Sequence, residues 1–228
     1  MDIKMPEHIA IILDGNRRWA KQRNMPSILG HKEGVKNLEE MVRFLDKQGL
    51  KYLTVYAFST ENFKRSKEEV TYLMKIFNVY MDKIIKKDDF NIKINIIGTK
   101  DGLSKDLINK IEKVEEKTKN NTGLIFNIAF NYGGRHEIID AVNKILEYGN
   151  IKNITEEEFS KFLYTKDMKD PDLLIRTSGE KRLSNFLLWQ LAYTEFYFSK
   201  KMWPEFKKED MIEAIIEYNN RNRRYGGN

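Results

Sequence analysis

Short apolar runs alternate along this chain with longer stretches whose apolar residues recur every three or four positions. The runs occupy 8–13, 52–58, 92–97, 124–130, 172–175 and 194–198, each bounded by glycine, asparagine or charge. Such short, continuous runs predict strands buried on both faces of a parallel sheet. Between them, Val35, Leu38, Met41, Val42 and Leu45 predict a helix over 35–46. Val70, Leu73, Met74, Phe77, Met81, Ile84 and Ile85 predict another over 67–87. Further helical patterns lie at 105–119, 134–148, 155–164 and 208–223, with a shorter piece near 186–191. The alternation predicts an α/β fold: a single domain over 1–228 with a mainly parallel, open sheet of about six strands covered by helices.

Polar residues follow the strands in an informative way. The first run passes straight into Asp14-Gly15-Asn16-Arg17-Arg18-Trp19, which puts Asp14 at the sheet's carboxyl edge. In open α/β sheets that edge is where ligands bind. One carboxylate among Arg17, Arg18, Lys21 and Arg23 suits a metal-bridged polyphosphate. Asp-Gly-Asn also makes ordinary turns and helix caps, and both readings stand for this segment alone. The fifth run leads into Arg176-Thr177-Ser178-Gly179-Glu180-Lys181-Arg182-Leu183-Ser184, so two strands end in glycine plus arginine. Two anionic groups held at one sheet edge is the simplest implication. Ser59, Asn62 and Arg65 follow the second strand, where Ser-Thr-Glu-Asn also reads as a helix-capping loop, and Phe58 and Phe63 add aromatic surface.

Composition narrows the chemistry. The absence of cysteine excludes disulfides, thiolate catalysis and Cys-based zinc sites. His8, His31 and His136 have no metal-ligand spacing, which leaves a hard cation held by oxygens. No apolar run is long enough to span a bilayer, so a soluble cytoplasmic protein is expected. A net charge of +6 is modest, and the lysines sit mainly on solvated helix faces, whereas arginines cluster after strands and at 221–224. Walker, dinucleotide-binding and nucleophile-elbow motifs are absent. The pair Asp88-Asp89 has no acidic counterpart, which argues against an Asp-rich trans-prenyl synthase. The spacing leaves His31 open between proton donor and plain helix residue, and Glu195 open between metal ligand and partner for an arginine.

Six segments in order, Asp14-Gly-Asn-Arg-Arg-Trp-Ala, Gly30-His31-x-x-Gly34, Phe58-Ser-Thr-Glu-Asn-Phe63, Asn131-Tyr-Gly-Gly-Arg135, Arg176-Thr-Ser-Gly-Glu180 and Arg182-x-Ser-Asn-Phe186, carry a resemblance over nearly the whole chain. The chain resembles the cis-prenyltransferases, most closely their bacterial undecaprenyl-forming branch. The resemblance implies repeated condensation of isopentenyl diphosphate with an allylic diphosphate such as farnesyl diphosphate, dependent on Mg²⁺, yielding the lipid carrier of cell-wall glycan synthesis. It also implies roles for individual residues. Asp14 holds the metal, with Glu195 as a second ligand. Gly15, Asn16, Arg17, Arg18 and Trp19 serve the allylic diphosphate, and Arg176, Arg182 and Ser184 the isopentenyl diphosphate. Ser59, Thr60, Glu61, Asn62, Phe63 and Arg65 match a segment covering the reacting ends, and His31 matches a residue aiding diphosphate departure. The base remains open between Asp14, a diphosphate oxygen and a relay through Asn62 and Ser59. Arg224 and Gly226 match a motif passed to the neighbouring subunit, implying a homodimer that meets membranes transiently through its product. Ser27 and Ser66 depart from the arginine and proline usual there. Two other classes, a polyanion- or RNA-binding protein and a phosphohydrolase, remain to be separated by experiment.

Overall fold

A computed structural model describes residues 4–87, 90–149 and 153–221. Six strands form one sheet: β1 (His8–Ile12), β2 (Tyr52–Ser59), β3 (Lys93–Ile97), β4 (Ile125–Tyr132), β5 (Leu173–Arg176) and β6 (Glu195–Phe198). Their order is β3-β4-β2-β1-β5-β6, and every neighbouring pair is parallel. All five residues of β1 and all four of β5 are buried, His8 and Arg176 included alongside the apolar ones. From β1 the chain builds outward through β2, β3 and β4, then crosses to the other side of β1 for β5 and β6. That reversal at β1 opens a crevice beyond its carboxyl end, where Asp14 lies.

Two layers cover the sheet. Ile9, Ile11, Leu53, Val55 and Ile175 pack on one face with Leu38, Met41 and Leu45 of α2 (Ser27–Lys47), Phe77 and Met81 of α3 (Lys67–Lys86), and Met211 and Ile215 of the C-terminal helix Lys208–Asn219. Ala10, Ile12, Ala129 and Leu174 face the other way, onto Tyr132, Phe186, Leu187 and Leu191. Helices Lys105–Thr118, Gly134–Tyr148 and Glu156–Ser160 complete the covering among the described residues.

Several boundaries differ from the sequence expectation, each for a physical reason. The helix expected near 186–191 is a chain of turns: Ser184, Asn185 and Leu187 all have positive φ, which stops a right-handed helix although Phe186, Leu187 and Leu191 are buried. The helix expected over 155–164 ends at Ser160, after which tighter bonds from Lys161 N to Glu158 O and Phe162 N to Phe159 O take over. Helix α2 begins eight residues before Val35, because Gly30 and Gly34 are its contact face against α1 (Asn16–Gln22). A Cβ on Gly30 would stand 2.0 Å from the Asn16 carbonyl oxygen, so this helix pair closes only over glycine. Register shifts between Tyr56, Phe58 and Ser59 bend the end of β2 where it leaves β4.

Candidate active site

Asp14 is fixed through its backbone before its side chain does anything. Its carbonyl accepts from Trp203 N at 2.9 Å and from Thr177 Oγ1 at 2.6 Å, which ties the β1 exit to the β5 exit. Gly15 then turns the chain at φ 106°, with Met202 and Ser178 so near that a Cβ would lie 2.9 Å from each of their Cβ atoms. Helix α1 starts at once, carrying Arg17, Arg18 and Lys21 to the same rim.

Arg176, only 3 % exposed, is the buried cation of this rim. Nη2 donates to Asp14 Oδ2 at 2.8 Å and Nη1 to Ser184 Oγ at 2.8 Å and to the Arg182 carbonyl, while Nε has no partner. A buried guanidinium is tolerated only when paired, so Arg176 holds Asp14 and the 182–184 loop in fixed relation. Arg18 reaches the other carboxylate oxygen at a long 3.4 Å and also pairs with Glu180 at 2.9 Å. Glu180 bonds Arg182 too; that bond and then the charge of Arg18 hold its carboxyl below the ordinary range. The two arginine groups expected from sequence therefore meet, bridged by Asp14 and Glu180.

Beneath the rim lies a cavity of about 920 Å³. Asp14, Arg17, Arg18, His31, Asn62, Arg65, Arg176, Arg182 and Ser184 line its polar mouth, and Leu38, Phe58, Leu73, Ile76, Phe77 and Phe130 its apolar body. Phe77 stacks on Phe130 with ring centroids 3.7 Å apart, giving a wall of aromatic rings. Charge at one end and hydrocarbon at the other suit a ligand with an anionic head and a greasy tail.

Most of the expected residues converge here. Gly15, Asn16 and Ser59 also line the cavity, and Asn62 Oδ1 accepts from Ser59 N at 3.2 Å, so the capping role of that loop is real alongside its place at the site. His31 faces the cavity with its ring buried, and this burial pulls its pKa below the usual histidine value against the opposing pull of Glu69. Trp19, Thr60, Glu61 and Phe63 stand back from the lining. Trp19 lies under the Arg23 guanidinium, Glu61 accepts from Asn185 Nδ2 at 2.8 Å with Thr60 bonded to its other oxygen, and Phe63 meets Phe58 edge-on.

Glu195 stands apart from Asp14 within this chain. It opens β6 and is paired in register with Leu173, three rows from the Arg176 level, which sets it about 10 Å along the strand toward the opposite end of the sheet. Its carboxylate pairs with Arg221 Nη1 at 2.8 Å. Of the two readings left open by spacing, the arginine partner is what the chain contains, and Glu195 does not join Asp14. Arg224 and Gly226 lie outside the described residues. Glu69 and Glu180, which bind the rim's cations, were not singled out from sequence; Glu69 stands four residues after Arg65, a spacing at which helical ion pairs form.

No group of three or more His, Asp or Glu side chains is placed to enclose a metal among the described residues. Asp14 fits a cation of another kind, since Mg²⁺ takes one or two carboxylates and completes its shell with phosphate and water. The Oδ1 oxygen, held only by the long contact from half-exposed Arg18, is the available ligand.

Comparison with known proteins agrees with this geometry. Residues 12–226 match the family model of prenyltransferases described as undecaprenyl diphosphate synthase. The isoprenyl transferase of Fusobacterium nucleatum is 52% identical over 228 residues, covering 100% of this chain and 98% of that protein. The ditrans,polycis-undecaprenyl-diphosphate synthase of Micrococcus luteus, named as specific for (2E,6E)-farnesyl diphosphate, is 49% identical over 98% of this chain and 92% of its own. The crystal structure of lavandulyl diphosphate synthase from Lavandula x intermedia, in complex with dimethylallyl diphosphate, superposes with a TM-score of 0.92 at 40% identity, covering 97% of this chain and 98% of that one. With an arginine-rich rim above an apolar cavity and relatives matched end to end, this chain belongs to the undecaprenyl diphosphate synthase family of prenyl transferases.

Proposed function

We propose that this protein lengthens a cis-prenyl chain by condensing isopentenyl diphosphate repeatedly with an allylic diphosphate, farnesyl diphosphate being the primer and a polyprenyl diphosphate such as undecaprenyl diphosphate the product. The observation that carries this reading is the single cavity whose mouth holds two arginine groups and whose body is apolar. One head group needs only one such set; two sets side by side suit two diphosphates whose carbon ends must meet.

In each cycle the allylic C–O bond breaks and diphosphate leaves with the bonding pair. The double bond of isopentenyl diphosphate attacks the freed carbon, and the proton lost in forming the new double bond passes to an oxygen of the released diphosphate. Arg17, Arg18, Arg65 and His31 bind the departing diphosphate, while Arg176, Arg182 and Ser184 hold the isopentenyl head group. The contribution of these residues is alignment and stabilisation of leaving-group charge. Asp14 Oδ1 is the residue atom that would hold Mg²⁺, which supplies charge neutralisation on the phosphate oxygens when bound. Phe58, Phe77 and Phe130 receive the tail, and their ring faces favour the positive charge that develops on the allylic carbon. The resemblance further assigns a homodimer, with Arg224 and Gly226 reaching the partner's site. The lipid product would draw the protein to a membrane surface; no described helix is long and apolar enough to cross one.

Incubation with farnesyl diphosphate, labelled isopentenyl diphosphate and Mg²⁺, followed by lipid extraction and chromatography, tests the proposal. Labelled chains longer than the primer are expected. Free phosphate or diphosphate without chain growth would assign a phosphohydrolase, and salt-sensitive RNA binding without turnover a polyanion-binding protein.

A further inference from the structure

Glu69 occupies an unusual position in α3. Its carboxylate accepts from Arg65 Nη1 at 2.8 Å, lies 3.5 Å from Arg17 Nη1, and meets His31 Nε2 at 3.3 Å. Those three side chains come from three different pieces of the chain, α1, α2 and the segment leading into α3. All three line the cavity, whereas Glu69 does not and is only 12 % exposed. It therefore stands behind them, in a fixed place: its backbone N–H is bound to the Ser66 cap at 3.3 Å.

The chemistry of the contact constrains the histidine. A carboxylate only accepts, so Nε2 of His31 carries the proton in this arrangement and Nδ1 is the nitrogen left for a phosphate oxygen. A neutral ring presents a lone pair there, and the imidazolium presents an N–H. The charged groups facing His31 are Glu69, which favours the imidazolium, and Arg65 and Arg17, which oppose it together with burial. Without Glu69, every remaining influence disfavours the form that can donate to the phosphate.

We propose that Glu69 is a positioning residue for the leaving diphosphate, holding Arg17, His31 and Arg65 from behind so that three elements meet the head group as one preorganised unit. This rests on reading that part of the rim as the allylic diphosphate site. The same helix carries Leu73, Ile76 and Phe77 into the cavity wall, so Glu69 also sets the tail-binding wall relative to the head-group cations.

The test compares Glu69→Gln and Glu69→Asp with the native chain. In Glu69→Gln, kcat/KM for the allylic diphosphate should fall by about tenfold, the scale of a lost charged hydrogen bond. The KM for isopentenyl diphosphate should stay unchanged, since Glu69 touches none of Arg176, Arg182 or Ser184. The alkaline limb of the kcat/KM profile and the NMR titration of the His31 ring should both move to lower pH, and Glu69→Asp should recover part of the loss. An unchanged allylic kcat/KM, or an equal rise in both KM values, would overturn the inference. If Glu69→Gln unfolds, Glu69→Asp decides: a folded variant whose allylic kcat/KM falls and whose His31 titration moves to lower pH, with the KM for isopentenyl diphosphate unchanged, supports it, and one that keeps both near native or raises both KM values alike overturns it. Calorimetry with inorganic diphosphate and Mg²⁺ reads the same three cations without turnover. A native chain that binds diphosphate but never elongates would sink the functional reading while leaving the Glu69 comparison interpretable.

Discussion

Asp14 Oδ2 and Arg176 Nη2 stand 2.8 Å apart, joining the end of β1 to the end of β5 by an ion pair whose arginine is buried and whose aspartate opens on the cavity. Asp14 therefore has a structural duty besides the catalytic one proposed for it. Asp14→Ala should lose chain elongation and, by stranding a buried guanidinium, cost about 1–3 kcal/mol of stability. Asp14→Asn keeps an oxygen for Arg176, so it should melt closer to the native chain while losing about a hundredfold or more in rate. Paired thermal melts and incorporation assays separate the two duties; an Asn variant with native turnover would remove Asp14 from the mechanism.

Arg182 is more than half exposed and its guanidinium pairs with Glu180. Arg182→Ala should raise the KM for isopentenyl diphosphate about tenfold, with little change in the KM for the allylic substrate. Initial-rate kinetics with each substrate varied in turn checks this.

Gly30→Ala sets helix propensity against sterics. Alanine favours a helix by about 1 kcal/mol, yet here its Cβ meets a backbone oxygen at 2.0 Å and α1 must move. Overpacking should win, with a net cost of about 1–3 kcal/mol, seen as a fall of several degrees in Tm. Turnover should fall as well, because α1 carries Arg17 and Arg18.

Leu73 lines the apolar body of the cavity on α3. Leu73→Trp should leave the first condensation near its native rate and shift the products to shorter chains, as chromatography of the dephosphorylated alcohols would reveal. Unchanged chain length would place the growing tail elsewhere.

His8 supplies a pH dependence of stability that is independent of catalysis. Nδ1 donates to the Lys169 carbonyl and Nε2 is bonded to Thr54 Oγ1 at 2.7 Å, accepting from that hydroxyl when the ring is neutral. Burial pushes its pKa down to about 4 against an ordinary 6.5. Because the folded value lies below the unfolded one, the unfolded chain binds the extra proton as pH falls. Stability should thus be full above about pH 6.5 and decline toward pH 4, by on the order of 3 kcal/mol for this group. His8→Gln should flatten that part of the curve in denaturant titrations run from pH 7 to pH 4.

The presence of six parallel strands, the burial of β1 and β5 on both faces and the gathering of Asp14, Arg176 and their neighbours at one edge follow from local pattern. Continuous apolar runs such as 9–13 are satisfied inside a parallel sheet, and a strand that ends in Asp-Gly or Arg-Thr-Ser-Gly has nowhere to put those residues except its carboxyl end. What pattern could not decide depended on groups far apart in the chain. Gly30 and Gly34 show their packing role only once α1 lies across them, and buried Leu187 mimics a helix until its left-handed backbone is seen. Glu195 sits beside strand residues like a site ligand, but the register of β6 turns it to the far end of the sheet and onto Arg221. Glu69 looks like any solvated helix glutamate, and becomes part of the site only because three elements fold around it. Periodicity records which side chains leave water; which charges then meet is settled by packing, because an ion pair acts over a few ångströms that sequence separation does not measure.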